Sequence, residues 1–127
     1  MPLSVMIVED ELDIAYLFSL CLERFGFNTI SFTKPLLALD HFIQYPGRYC
    51  LILIDMSMVD LNGMELSKEI RKYNSQVKIL LITGYCKGDI SYSIDFKEAK
   101  ISDVILKPVN FEKLGPRILR LCSKNKS

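Results

Sequence analysis

Tryptophan is absent from this 127-residue chain, histidine occurs once, and no two cysteines stand at CxxC spacing. The lone His41 excludes a histidine triad or a histidine metal cluster, and its place in a helical segment predicts an exposed side chain. Cys21, Cys50, Cys86 and Cys122 are too widely spaced for a zinc site. No apolar run approaches the roughly 20 residues that span a bilayer. The opening Met-Pro-Leu-Ser-Val-Met-Ile-Val-Glu-Asp has no basic segment ahead of its apolar run, and that run ends in acids. It does not read as a secretory signal. The expectation is a cytoplasmic protein, without membrane association, whose thiols are reduced rather than paired in a disulfide framework.

Half of the residues are hydrophobic, which excludes a disordered chain, and the length suits one domain with one core. The net charge of +1 is unevenly placed, with −5 on residues 1–63 and +6 on residues 64–127. The basic residues of the second half are scattered singly with few aromatics among them. That is the pattern of solvated helix faces, and it predicts no direct nucleic-acid binding. Arg117, Arg120 and Lys124, at i, i+3 and i+7, form the one basic stripe, and it too reads first as a solvated face.

Short apolar runs alternate with longer segments of helical period. Residues 3–8, 50–54 and 79–82 are nearly continuous apolar runs, as strands covered on both faces require. Residues 28–32 alternate like an edge strand, and residues 104–106 make a short fifth. Ile14, Leu17, Phe18, Cys21, Leu22 and Phe25 follow the helical period, and Gly26 closes that helix. Pro35 opens a second helix near residues 36–43, a third covers about 64–72, a weaker fourth about 89–99, and a fifth starts near Asn110. Strand–helix repeated five times predicts an α/β fold, a doubly wound five-stranded parallel sheet of order 2-1-3-4-5 with helices on both faces. One domain fills residues 1–122. Residues 123–127 are a polar tail or the start of a linker.

Four of the five strands end in a reactive polar residue: Glu9 and Asp10, then Asp55, Thr83 and Lys107. In open parallel sheets, ligands bind beyond the carboxyl ends of the strands, where the winding reverses. Each residue alone has a duller reading, Asp10 as the cap of the following helix above all. Together they gather at one edge of one sheet. Two carboxylates about 4 Å apart repel by roughly 4 kcal/mol at an effective dielectric near 20. Three cannot all stay ionised without a cation or a raised pKa, and Lys107 supplies one charge only. A hard divalent ion such as Mg²⁺ is the natural complement, and acids, Mg²⁺, a hydroxyl and an ammonium make a phosphoryl-transfer site.

On these residues the chain resembles the receiver domain of two-component response regulators, of the stand-alone chemotaxis-regulator type. The matching segments are Val5-Met6-Ile7-Val8-Glu9-Asp10-Glu11, Leu53-Ile54-Asp55-Met56-Ser57-Met58-Val59-Asp60-Leu61-Asn62-Gly63, Leu81-Ile82-Thr83-Gly84 and Ile105-Leu106-Lys107-Pro108. The resemblance implies that Asp55 takes a phosphoryl group from a sensor histidine kinase or a histidine phosphotransfer protein, for delivery of a signal to a downstream protein. It implies Mg²⁺ held by Glu9, Asp10, Asp55 and the Ser57 carbonyl, with Lys107 and Thr83 contacting phosphoryl oxygens. It implies a cis bond before Pro108, and a Tyr85 that screens the phosphoryl group from water.

The sequence departs from the family pattern at Val59, where proline is usual, at Gly84, where alanine is usual, and at Val104, where an aromatic is common. Gly115-Pro116 falls inside the last expected helix, which predicts a kink there, or one short turn followed by a restart with Pro116 in the first turn of a new helix. A second reading, a receiver-fold binding scaffold without the switch, follows from Val104 and Gly115-Pro116. A haloacid-dehalogenase-like phosphatase would want an acid where Ser57 stands. A flavodoxin-like protein would want hydroxyls where Glu9 and Asp10 stand.

Overall fold

The computed structural model describes residues 3–84 and 94–123. Its elements alternate as β1 (Ser4–Val8), α1 (Leu12–Phe25), β2 (Asn28–Phe32), α2 (Pro35–Gln44), β3 (Leu51–Asp55), α3 (Gly63–Arg71), β4 (Lys78–Thr83), α4 (Ile94–Glu98), β5 (Asp103–Leu106) and α5 (Phe111–Ser123). All strand pairs are parallel, in the order β2-β1-β3-β4-β5. The expected α/β architecture and strand order are both present. Of the expected fourth helix, residues 94–98 are seen as α4, and the rest of that segment lies largely outside the described residues.

The continuous apolar runs have a direct cause. Successive strand side chains point to opposite faces, and both faces of the central strands are covered. Met6, Val8, Ile52, Ile54, Ile79 and Leu81 pack on one side against Ala38 and Phe42 of α2 and Leu66 and Ile70 of α3. Val5, Ile7, Leu51, Leu53, Leu80 and Ile82 pack on the other against Phe18 and Leu22 of α1 and Leu114 and Ile118 of α5. Every residue of β3 is buried, whereas edge strand β2 is only partly covered. A one-residue slip of register would exchange the two half-cores.

Local chemistry sets the helix ends. Gly26 adopts φ 111° and its N–H reaches back to the carbonyls of α1, which ends that helix. Pro35 starts α2 at a position where its missing N–H costs nothing. Asn62 and Glu65 form a reciprocal capping box at α3, with N–H···O distances of 2.8 and 2.9 Å. Asn110 accepts from the Glu112 N–H at 3.0 Å ahead of α5. Asp10 does not cap α1, because the N-cap is Glu11 and no side chain caps it.

Three expectations need correction. Helix α5 neither stops nor restarts at Pro116 but runs unbroken from Phe111 to Ser123. The acceptor that Pro116 leaves without its N–H is the Glu112 carbonyl, in the first turn of the helix, and both residues are exposed, so that end of the helix is open to solvent. Gly115 has a packing role: a Cβ there would lie 2.6 Å from the ring of Phe25, so its bare backbone lets α5 lie against α1. His41 is half-buried rather than exposed, with Nε2 2.6 Å from the Tyr49 hydroxyl and its ring among Phe32, Tyr45 and Tyr49. Of the basic stripe, Arg120 is exposed as a solvated face requires, but Arg117 is held in an ion pair. Arg117 Nε donates to Asp103 Oδ2 at 2.6 Å, and Lys124 lies outside the described residues.

An unbroken helix that lacks one hydrogen bond makes a testable case. Pro116→Ala restores the donor to Glu112 and removes the ring on an exposed face. Stability should rise by about 2 kcal/mol, the interior-proline cost less the entropy that proline removes from the unfolded chain. Urea unfolding measures it, and a variant no more stable than wild type would contradict this account.

Candidate functional site

The sheet order creates the site. Helices α1 and α3 leave neighbouring β1 and β3 for opposite faces, so the carboxyl ends of these two strands open onto a crevice. Glu9 follows β1 directly, and its N–H donates to the Phe32 carbonyl of β2 at 3.0 Å. Asp10 follows, half-buried, and Asp55 ends β3. One carboxylate oxygen from each of Glu9, Asp10 and Asp55 falls within 4.8 Å of the others. Glu9 is 2% exposed and Asp55 4% exposed, so two of the three acids are almost out of water.

Lys107 stands just past β5, where its N–H donates to the Thr83 carbonyl at 2.8 Å. Its Nζ lies 3.2 Å from Asp55 Oδ1, and the Ser57 N–H donates to the same oxygen, also at 3.2 Å. The Lys107–Pro108 bond is cis, as the resemblance implied. Thr83 is buried at the end of β4, one residue beyond Ile82, the register partner of Asp55. The structure thus clusters Glu9, Asp10 and Asp55, sets Lys107 and the Ser57 N–H against Asp55, and places Thr83 at the same edge of the sheet. Tyr85 lies outside the described residues. Val104 is buried in β5 opposite Leu81, within the core layer shared with α2 and α3.

Crowding shows in the titration of Glu9. Its pKa is pushed from 4.5 up to about 7, first by burial, then by the Asp55 charge and by a hydrogen bond to Asp55 that only the protonated acid donates. The Glu11 N–H, 3.0 Å from Glu9 Oε2, and the Lys107 charge pull the other way without prevailing. An open hollow of about 440 Å³ adjoins the acids, lined by Asp10, Met56, Ser57, Met58, Val59 and Asn62. All-oxygen donors with room beside them for water suit a hard cation such as Mg²⁺, which binds through one or two carboxylates and keeps part of its hydration.

One positioning residue was quoted in the sequence motif without a role. Gly63 opens α3, and a Cβ there would lie 2.7 Å from the Asp55 carbonyl and 2.9 Å from the Met56 Cα. Its N–H donates to the Met56 carbonyl at 2.9 Å, folding residues 56–62 back over the end of β3. Asp60 in that loop adopts φ 73°, a conformation that aspartate tolerates better than most residues. The signal was an Asn-Gly pair after an acidic strand end, but only the fold shows the backbone contact behind it.

Residues 5–119 match the response regulator receiver domain family. The chain is 30% identical over 121 residues to an uncharacterized transcriptional regulatory protein, YkoG, of Bacillus subtilis, which covers 95% of this chain and 51% of that protein. It is 24% identical over 111 residues to sporulation initiation phosphotransferase F of Bacillus subtilis, covering 87% of this chain and 86% of that one. The chain spans only about a quarter to a half of the length of the transcriptional regulatory proteins among its first relatives. A CheY-like receiver domain protein from Methanospirillum hungatei superposes with a TM-score of 0.88 at 23% identity, covering 99% of this chain and 98% of that one. Chemotaxis protein CheY4 of Vibrio cholerae superposes at 0.85 and 22% identity, covering 95% and 99%. These two likenesses are likenesses of fold.

The raised pKa of Glu9 has a definite sign in stability. A carboxyl that holds its proton more tightly folded than unfolded stabilises the fold below pH 4.5, and that contribution is lost as pH rises through about 7. In chelator, wild type should therefore lose stability relative to Glu9→Gln across that window. Urea unfolding of both proteins between pH 4.5 and 8 checks it, and a constant difference would contradict the crowding of Glu9.

Proposed function

The chain belongs to the response regulator receiver domains, and from that premise we propose that it is a Mg²⁺-dependent phosphorylatable switch whose acceptor is Asp55. The observation that carries this reading is the Lys107 Nζ, 3.2 Å from Asp55 Oδ1, beside three clustered acids. Asp55, paired to the Lys107 ammonium, is the oxygen nucleophile in this reading. Asp55 attacks the phosphorus of a phosphohistidine on a sensor kinase or phosphotransfer protein. The P–N bond breaks as the P–O bond forms, leaving an acyl phosphate on Asp55. Lys107 then has a phosphoryl oxygen to pair with, and the Ser57 N–H holds the carboxyl in orientation. Thr83 donates its hydroxyl to a further phosphoryl oxygen. Glu9, Asp10, Asp55 and the Ser57 carbonyl would hold Mg²⁺, which supplies positive charge to the oxygens of the transferring group.

Val104 supports a second reading, a binding scaffold that keeps the fold without the switch, because a small aliphatic side chain packed in the core offers no aromatic to reorient. Phosphorylation separates the two readings. Incubated with Mg²⁺ and acetyl phosphate, wild type should gain one phosphoryl group by intact mass. Asp55→Asn should gain none while folding at least as stably, since the amide is nearly isosteric and removes one repelling charge. Undiminished uptake by the variant would overturn the assignment of Asp55, and no uptake by wild type would favour the scaffold.

Metal binding gives an independent measurement. An ion that binds only the folded arrangement raises the melting temperature by mass action. Millimolar Mg²⁺ should therefore raise the melting temperature of wild type, and Asp10→Ala should lose most of that gain. Equal shifts in both proteins would place the metal elsewhere.

A further inference from the structure

At the opposite end of the sheet from the acids, two thiols 72 positions apart in sequence meet. Cys122 Sγ, on the last turn of α5, lies 2.7 Å from Cys50 Sγ, the residue just before β3. That is well inside the contact distance of two sulfur atoms, and a sub-ångström approach separates it from the 2.03–2.05 Å of an S–S bond. Both sulfurs are carried by rigid elements. The Cys50 N–H donates to the Ser4 carbonyl at 3.0 Å, and its carbonyl accepts from the Lys78 N–H at 3.2 Å, so Cys50 is fixed between β1 and β4. Cys122 is buried in the core layer formed by α1, α5 and the sheet. The other described cysteine, Cys21, is elsewhere, its Sγ 3.3 Å from the Phe111 carbonyl.

We propose that Cys50 and Cys122 are a redox-modification site, reduced at rest and converted by a peroxide to an intramolecular disulfide that ties the end of α5 to the start of β3. The two thiols are not equivalent. Cys50 is partly exposed and Cys122 buried, so the oxidant meets Cys50 first. The hydrogen bond from Cys122 favours the Cys50 thiolate and pulls its pKa down, whereas that same hydrogen bond, and then burial, push the Cys122 thiol up. Cys50 is the attacking sulfur and Cys122 the resolving one.

In the first step the Cys50 thiolate attacks a peroxide oxygen and the O–O bond breaks. Hydroxide leaves, takes up the proton that Cys50 released, and Cys50 becomes a sulfenic acid. In the second step the Cys122 sulfur attacks the Cys50 sulfur, the S–O bond breaks, and water departs with the Cys122 proton. Two thiols are oxidised by two electrons, and hydrogen peroxide is reduced to two waters. Cys50 is five positions before Asp55, about 16 Å along the strand, so the link forms without displacing the acid cluster.

The 127-residue chain treated with hydrogen peroxide should lose the mass of two hydrogen atoms without forming a covalent dimer. Non-reducing digestion should yield one linked peptide pair joining Cys50 to Cys122, and dithiothreitol should reverse both changes. Closure of a 72-residue loop should raise the melting temperature by about 10 °C. In Cys122→Ser, which keeps a small side chain, Cys50 should stop at the sulfenic acid and be trapped by dimedone. Stepwise oxygen addition without a link, a link to Cys21 or Cys86, or a disulfide between two chains would overturn the proposal. Dimedone labelling of Cys122 in Cys50→Ser at the rate seen for Cys50 would overturn the assignment of roles.

Discussion

Mutual repulsion among Glu9, Asp10 and Asp55 is the constraint around which this fold is organised. Carboxylate oxygens within 4.8 Å of one another, two of the acids nearly dry, oppose folding unless something else holds them there. What holds them is the sheet. Each acid stands at or just past the end of a strand whose apolar residues are buried, so no acid can withdraw without drawing apolar surface into water. Lys107 relieves part of the repulsion, the raised pKa of Glu9 makes protonation a second outlet, and a bound cation would be a third.

The surrounding structure can be understood as support for that edge. Gly63 brings the start of α3 against the backbone of Asp55 and Met56, and the Asn62–Glu65 box secures the same helix end. Lys107 is fixed through the Thr83 carbonyl, so β4 and β5 set its reach to Asp55. On the far side, α1 and α5 approach closely because Gly115 has no side chain to meet Phe25. These contacts act through backbone positions rather than through direct participation at the acids. A small displacement of α3 or of the β4–β5 pair would alter the geometry at Asp55.

The α5 helix connects the two ends of the molecule. Its first residue, Phe111, packs on Phe18 of α1 beside a hollow that Glu9 and Lys107 also line. Its last turn carries Cys122 against Cys50. The exposed Pro116 lies between, in a helix held on its inner face by Leu114 and Ile118 and on its flank by the Arg117–Asp103 pair. Burial of that inner face outweighs one missing hydrogen bond, which is why a helix that propensity alone would break remains whole.

Much of this was legible in the order of residue types. Continuous apolar runs at 50–54 and 79–82 specify doubly covered strands, the periodic apolar residues of 14–25 specify a helix, and reactive residues after four strands specify a shared edge. These are properties of neighbours along the chain, and period and termination are local. Other features were not legible, because they depend on which distant groups meet. Asp10 was equally readable as a cap or as a partner of Asp55, and only the packing of β1 beside β3 decided it. His41 looked like a surface position until the α2–β3 connection folded Tyr49 onto it. Pro116 looked like a break until the core on one side and water on the other removed the need for one. Cys50 and Cys122 carried no spacing signal at all, since their approach is set by how α5 crosses the sheet, and a side chain's partners across the fold are written only in three dimensions.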